Sequence, residues 1–401
     1  MMDMPQFSTG PLQGLYFPDY PDATIVNLMA SLIVARGGRS PHSPLAAAPV
    51  ARLARARHLI CLAVDGLGEA QLDHYLQRNP GSPFLGVHAR SVLSTVFPAT
   101  TASAITTFLT GAAPAEHAIL GWHLNLPDLG LASTVLMSKA RTGSDFAPET
   151  FDLDAYLALP SYLNSIPEPR ALLSYGVIPH SRFSRTGTRW DRVRAFDSLA
   201  GLQREVVAFC REEARGMAYV YWPVHDALCH EHGTRDPRTL AHLGAIDQAM
   251  AELHDALRGR DVMLLVTADH GIHDTPPAQR IDLAAVPGLY DCLATLPCGD
   301  AGHASCFVRP RREARFLELV AQHLGDACHC IAGETLLELG AFGPGEPHPK
   351  LYGRVGDYLL IARDRQAFAA PIAGEAPWFM TGNHGGMTAG EMRVPLFVVA
   401  C

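Results

Sequence analysis

Asp65, set between Val64 and Gly66, is the first of several polar residues that interrupt long apolar stretches of this chain. Thr100 and Thr101 follow Phe97, Pro98 and Ala99; Asp226 and His230 lie four residues apart; Asp269 and His270 are adjacent, just before Gly271; His384 sits between Asn383 and Gly385. Carboxylate oxygens and imidazole nitrogens are the donors that borderline divalent cations such as Zn²⁺ take. A hydroxyl beside such cations is lowered in pKa and becomes a nucleophile. Three Asp, three His and one Thr therefore have the composition of a paired zinc site with a threonine nucleophile.

Each member also has a plainer reading. Asp65 could end a turn, Asp226 and His230 could be an exposed capping pair, and His384 could sit in a flexible glycine turn. Thr101 could be an N-cap, which is compatible with a nucleophile at a helix start. Asp269 and His270 would point to opposite faces of a strand. They can share a metal only where the strand has already turned, which Gly271 permits. The set as a whole favours ligands over five unrelated turns.

The elements that must position these groups are legible as apolar runs. Residues 58–65, 219–226 and 263–271 are continuous hydrophobic stretches ending in polar residues. Such runs predict strands buried on both faces, hence a mostly parallel sheet in an α/β protein. In open sheets of that kind the crevice lies at the carboxyl ends of the strands. Helical periodicity is expected over 202–215 and 238–257, and a short amphipathic stretch over 25–35. Two segments break the rhythm: 124–200, taken as an insertion near the site, and 276–375, taken as a small α+β insertion. Within the latter, strands are expected at 305–308, 328–331 and 357–361, and a helix at 311–324. A last strand at 394–399 would close the core of one catalytic domain spanning 1–401.

Composition narrows the classes. Of 401 residues, 48% are hydrophobic, which excludes a mostly disordered chain. With 32 basic and 40 acidic residues the net charge is −8, against the basic stripe of a nucleic-acid surface. Stretch 25–35 is too short to span a bilayer, and no basic segment precedes it as in a signal peptide. Nine scattered Cys suit reduced thiols rather than a disulfide framework, so a cytoplasmic location is expected, without membrane association. Cys292, Cys298, Cys306, Cys328 and Cys330 lack the Cys-x-x-Cys spacing of a zinc site and read as buried thiols. Gly66 and Gly68 lack the rest of a dinucleotide loop, and neither a Gly-x-Ser-x-Gly nor a His-Glu-x-x-His motif occurs.

In order and content, these segments resemble the nucleotide pyrophosphatase/phosphodiesterase (type I phosphodiesterase) branch of the alkaline phosphatase superfamily. The resemblance covers about residues 57–275 and 376–401. It implies an alkaline-phosphatase-like fold: a mostly parallel central sheet sandwiched by helices, with the two insertions near the active site. It implies two divalent metal ions, Zn²⁺ above all, one held by Asp226, His230 and His384, the other by Asp65, Asp269 and His270, with Thr101 bridging as ligand and nucleophile. The implied activity is hydrolysis of phosphodiester or nucleotide pyrophosphate bonds in a small-molecule substrate, through a covalent threonine-phosphate. Phosphonate hydrolysis, phosphomonoester hydrolysis and a catalytically silent binding protein are the alternatives. The last is disfavoured because every ligand position is filled. Position 104 departs from the expected pattern: Ala104 offers no donor to a phosphoryl oxygen. Trp122 and His123 are the candidates to replace it, and Ala102 is a further candidate substrate contact.

Overall fold

The structure, a computed structural model, describes residues 12–147, 151–372 and 375–401. The apolar runs do form strands. Seven of them make one sheet in the spatial order Arg90–Ser94, Arg393–Ala400, Val262–Thr267, His58–Val64, Gly216–Trp222, Arg170–Tyr175 and Arg192–Phe196. Arg393–Ala400 runs antiparallel to both its neighbours, and the other recorded pairings in this sheet are parallel. The three central strands are buried along their whole length, as their unbroken hydrophobicity requires. Helices sandwich this sheet to give the α/β architecture.

Register fixes where the site must be. Ala63 stands level with both Tyr221 and Thr267, so three strands end side by side and the residues just beyond them share one edge. The helix Thr101–Thr110 starts at this edge and closes at Gly111 in a left-handed cap. Ile25–Ala35, expected to be amphipathic, is buried at every position but Val34. Its polar Asn27 is satisfied inside, donating to the carbonyls of Tyr20 and Ser43 at 2.9 Å each.

Three expectations change. The run 219–226 is not one strand: the strand stops at Trp222, and after Pro223 the helix Val224–His232 begins. Asp226 and His230 therefore lie one helical turn apart on one face. Second, part of 124–200 belongs to the central sheet, through the strands Arg170–Tyr175 and Arg192–Phe196. Third, the remainder of that segment and the segment 276–375 are not separate. Strands His123–Leu126, Leu131–Thr134 and Lys139–Ala140 join Cys298–Asp300, His303–Cys306, Tyr358–Ala362 and Cys328–Ala332 in a second seven-stranded sheet, antiparallel throughout. The seam is the pairing of Gly299 with His123. This sheet has its own apolar cluster, in which Phe316 and Leu319 of the helix Glu313–Leu324 pack on Leu360.

Candidate metal centre and its cavity

Asp65 directly follows the strand His58–Val64, and Asp269 and His270 follow Val262–Thr267 at the same level. The turn after Asp65 uses Gly66 at φ +73°, where a Cβ would stand 2.8 Å from Asp226 Oδ1. Glycine here lets the helix carrying Asp226 approach the strand end. Gly271 serves a different purpose from the free turn expected of it. A Cβ there would lie 2.0 Å from the Gly390 carbonyl oxygen, so glycine is required by close packing against the short helix Ala389–Met392.

Two groups of donors result. Ligand atoms of Asp65, Asp269 and His270 all lie within 4.8 Å of one another, and so do those of Asp226, His230 and His384. The groups adjoin, because the His270 and His384 rings stack with centroids 3.8 Å apart. All are buried except His230, which is half-buried.

The three imidazoles are oriented alike. Nδ1 of His230 faces the Gly382 carbonyl at 2.8 Å, that of His384 faces Ala99 O at 3.2 Å, and that of His270 faces Gly271 O at 3.1 Å. A carbonyl oxygen only accepts, so each Nδ1 is the donor and the opposite Nε2 is left for the carboxylates, that of His230 lying 2.9 Å from Asp226 Oδ2. This is the outer hydrogen bonding that orients metal-binding histidines. The carboxylates are held too. Tyr221 donates its hydroxyl to Asp65 Oδ2, and Asp269 Oδ1 accepts from the amides of Gly66 at 3.1 Å and His270 at 2.9 Å.

One oxygen of each carboxylate is left over. Asp65 Oδ1, Asp226 Oδ1 and Asp269 Oδ2 are buried without a hydrogen-bond partner. Burial, reinforced by the Asp269 and Asp226 charges, pushes the Asp65 carboxyl well above the usual range. Burial also raises Asp269, partly offset by His270. Burial acts on Asp226 as well, but His230, His384 and His270 together hold it below its ordinary value. Buried carboxylate oxygens left without partners are costly unless a cation sits among them. The donor set of six oxygens and nitrogens in two trios fits divalent ions.

Thr101 is the first residue of its helix, and its hydroxyl lies 3.1 Å from His270 Nε2. Thr100, the neighbouring hydroxyl, is fully buried and donates to Asp300. A cavity of about 910 Å³ opens over Thr101, and Trp122 and His123 line it. Burial and the nearby Arg141 push His123 down to about 4, so it is neutral. Ala102 is fully buried and outside the cavity wall, so only its backbone faces the first helical turn. Ala104 is likewise buried outside the wall. Ala104 follows Thr101 by three residues on the same helix and offers no side-chain donor there.

Sequence reasoning missed Tyr221, Asp300 and Arg141, which also line the cavity. Tyr221 alone had a signal, its place two residues from Tyr219 near the end of a buried strand. Asp300 and Arg141 arrive through the second sheet, whose long-range pairing has no local signature. Among the described residues no Cys belongs to either donor group, and all nine Cys are free. Nor is any described helix long and apolar enough to cross a membrane.

The family described as type I phosphodiesterase/nucleotide pyrophosphatase matches residues 59–387. Among solved structures, murine ectonucleotide pyrophosphatase/phosphodiesterase 5 superposes with a TM-score of 0.62 at 16% identity, over 84% of this chain and 87% of that one. Phosphonoacetate hydrolase from Sinorhizobium meliloti 1021, solved with phosphonoformate, gives 0.65 at 18% identity, over 86% and 90%. The human ectonucleotide pyrophosphatase/phosphodiesterase 5 gives 0.61 at 15%, over 85% and 87%. No curated protein matches.

Proposed function

This chain belongs to the type I phosphodiesterase/nucleotide pyrophosphatase family, hydrolases of phosphoric esters, and we propose that it cleaves phosphodiester or nucleotide pyrophosphate bonds of small molecules through a phosphothreonine at Thr101. The observation that carries the reading is one juxtaposition: a hydroxyl at a helix start, two trios of converging ligand-type side chains beside it, and a large cavity above. In this reading Asp226, His230 and His384 hold one Zn²⁺, and Asp65, Asp269 and His270 hold the other, shared with Thr101. When bound, the two ions supply charge that lowers the pKa of the threonine hydroxyl and neutralises the reacting phosphoryl group.

The chain's own residues do the rest. Thr101 gives up its hydroxyl proton to solvent as Oγ1 forms the bond to phosphorus and the bridging oxygen of the leaving group departs, taking a proton from water; a second water then cleaves the phosphothreonine and restores the hydroxyl. The first-turn amides, Ala102 N–H among them, lack intrahelical acceptors and can receive the non-bridging oxygens. Trp122 and His123 flank the same end of the cavity as substrate contacts. Gly382, Ala99 and Gly271 carbonyls keep the three Nε2 atoms aimed inward. A threonine-to-alanine variant of the murine neighbour is described as inactive and was solved with AMP, which supports both the nucleophile and a nucleotide-like substrate. Similarity to a phosphonoacetate hydrolase supports a second reading, cleavage of a phosphonate. We take the whole chain as one catalytic unit, and its nine unpaired thiols support a reducing, cytoplasmic compartment.

The test is turnover of bis(p-nitrophenyl) phosphate, p-nitrophenyl phosphate and phosphonoacetate by the zinc-loaded protein and by Thr101→Ala. Preference for the diester, lost in the variant, is expected. Preference for the monoester or the phosphonate would move the protein to another branch of the superfamily. Equal activity in Thr101→Ala would remove the nucleophile.

A further inference from the structure

The segment 15–20 belongs to neither seven-stranded sheet and to no helix, yet every residue in it but Asp19 is buried. Its attachments fall on the stretch of backbone that delivers Thr101 and on the loop that carries His384. The Asp19 amide donates to Ser94 Oγ at 3.1 Å. The Tyr20 hydroxyl accepts from the Phe97 amide at 3.4 Å and donates to the Ala341 carbonyl at 3.2 Å. The Tyr16 amide donates to the Met387 carbonyl at 2.8 Å, and Tyr16 forms a small buried cluster with Ala99 and Met392.

Phe97 stands four residues before Thr101 and is fully buried. Between them lies Ala99, whose carbonyl accepts from His384 Nδ1. One short stretch of backbone therefore sets both the hydroxyl and one imidazole. On one side the Phe97 ring packs on Phe342, with centroids 5.4 Å apart, and on His303 at 5.9 Å. On the other side the stretch is held by the 15–20 strap. Tyr20 is itself fixed. Asn27 donates to its carbonyl at 2.9 Å, and Gly343, at φ +95°, lies so close that a Cβ there would stand 2.8 Å from the tyrosine ring. Ala341 lies just beyond the helix Gly333–Glu338, which follows the strand Cys328–Ala332 of the second sheet. The Tyr20 hydroxyl thus ties the threonine turn to the second sheet's side of the site.

We infer that Tyr20 is a positioning residue for the nucleophile: its hydroxyl holds the Phe97 amide, and through it the turn that presents Thr101. The inference rests on Thr101 being the nucleophile and goes beyond that reading to what aims it. Without the hydroxyl, a buried N–H and a buried C=O both lose their partner, and the turn shifts to find others. Misplacing a reacting atom by about 1 Å can cost about 100-fold in rate, so Tyr20→Phe should lower kcat about 10- to 100-fold. KM should stay level, because Tyr20 touches no substrate.

The test compares Tyr20→Phe with Tyr75→Phe in the full chain at saturating Zn²⁺, on whichever of bis(p-nitrophenyl) phosphate, p-nitrophenyl phosphate and phosphonoacetate the wild type turns over best. Tyr75 also loses a buried hydroxyl bond, but its acceptor is Asp247, whose other partners are Ser82, Phe84 and Leu85. Both variants should melt below wild type; only Tyr20→Phe should lose kcat at unchanged KM. Hydrogen exchange read on peptides spanning 94–104 should quicken in Tyr20→Phe and not in Tyr75→Phe. Equal kcat losses in the two variants, a loss in Tyr20→Phe of less than about threefold, or exchange unchanged over 94–104 overturns the inference. Exchange does not depend on the reaction, so the two levels separate. Full activity in Thr101→Ala would sink the phosphothreonine reading, and the positioning role with it, even where exchange shows the turn loosened.

Discussion

Replacing Tyr221 by Phe removes one oxygen from the wall of the metal centre and leaves its shape intact. That hydroxyl donates to Asp65 Oδ2, and Asp65 is 3% exposed with its other oxygen already unpartnered. A buried hydrogen bond to a carboxylate contributes about 1.5–3 kcal/mol. Loss of an outer partner of a ligand typically weakens metal binding about 10- to 100-fold, or about 1.4–2.7 kcal/mol, so two independent magnitudes agree. Tyr221→Phe should therefore bind Zn²⁺ at the Asp65 trio about 10- to 100-fold more weakly, read by competition with a chromophoric chelator. The neighbouring Tyr219→Phe supplies the contrast. The Tyr219 hydroxyl is buried without a partner while its ring stacks on Phe108 at 5.3 Å. Its removal relieves an unsatisfied group, so zinc affinity should hold and the melting temperature stay level or rise. If the two variants behave alike, or if Tyr221→Phe changes affinity less than about threefold, Tyr221 does not position Asp65.

Further outcomes follow from local geometry. Gly271→Ala puts a methyl 2.0 Å from the Gly390 carbonyl, so one loop must shift; a loss of about 1–3 kcal/mol in urea unfolding and a displaced His270 are expected, and an unchanged melting temperature would refute the packing argument. His117 is fully buried, its Nδ1 accepts from the Ile119 amide at 3.0 Å, and burial with nearby His348 and Arg354 pushes it down to about 3. Because the unfolded residue titrates near 6.5, its contribution is intact above that pH and is lost as pH falls toward 3, at about 1.4 kcal/mol per unit. His117→Asn, which can keep the acceptor but cannot be protonated, should make acid unfolding shallower by that slope; equal slopes would count against it. Chelation of the metal should lower the melting temperature of wild type by leaving three carboxylate oxygens buried and uncompensated, and no shift would argue against two resident cations.

How much of this was written locally in the chain differs element by element. The strands ending at Val64 and Thr267 were legible because burial on both faces demands an unbroken apolar run, and the polar residue that ends the run marks the edge. The strand–helix junction at Pro223 was not, because the apolar run continues past it to Val224 while the backbone changes from a period of 2 to 3.6. Arg192–Phe196 escaped notice for the opposite reason. It is an edge strand, with Arg192 and Arg194 pairing outward with Glu213, Glu205 and Glu212, so its pattern is polar.

The second sheet shows why a candidate set of metal ligands stands out in the sequence when the chamber above it does not. The six proposed ligands are specified by chemistry: only a few residue types can serve, and each sits at the end of an element with its own local signature. The chamber is specified by pairing. Asp300, Arg141 and His123 meet because Gly299 pairs with His123, 176 positions away in chain order. Any small or apolar residues compatible with that register would build a wall. The choice of ester group therefore falls to wall residues such as Met137 and Val177, while the reacting end is limited to residue types that can hold a cation. It follows that exchanging wall residues should change which ester group is accepted without touching zinc affinity. Exchanging Asp65 or His384 should do the reverse, abolishing turnover of every ester alike. A wall variant that lost zinc, or a ligand variant that merely changed which ester is preferred, would contradict this division of the site.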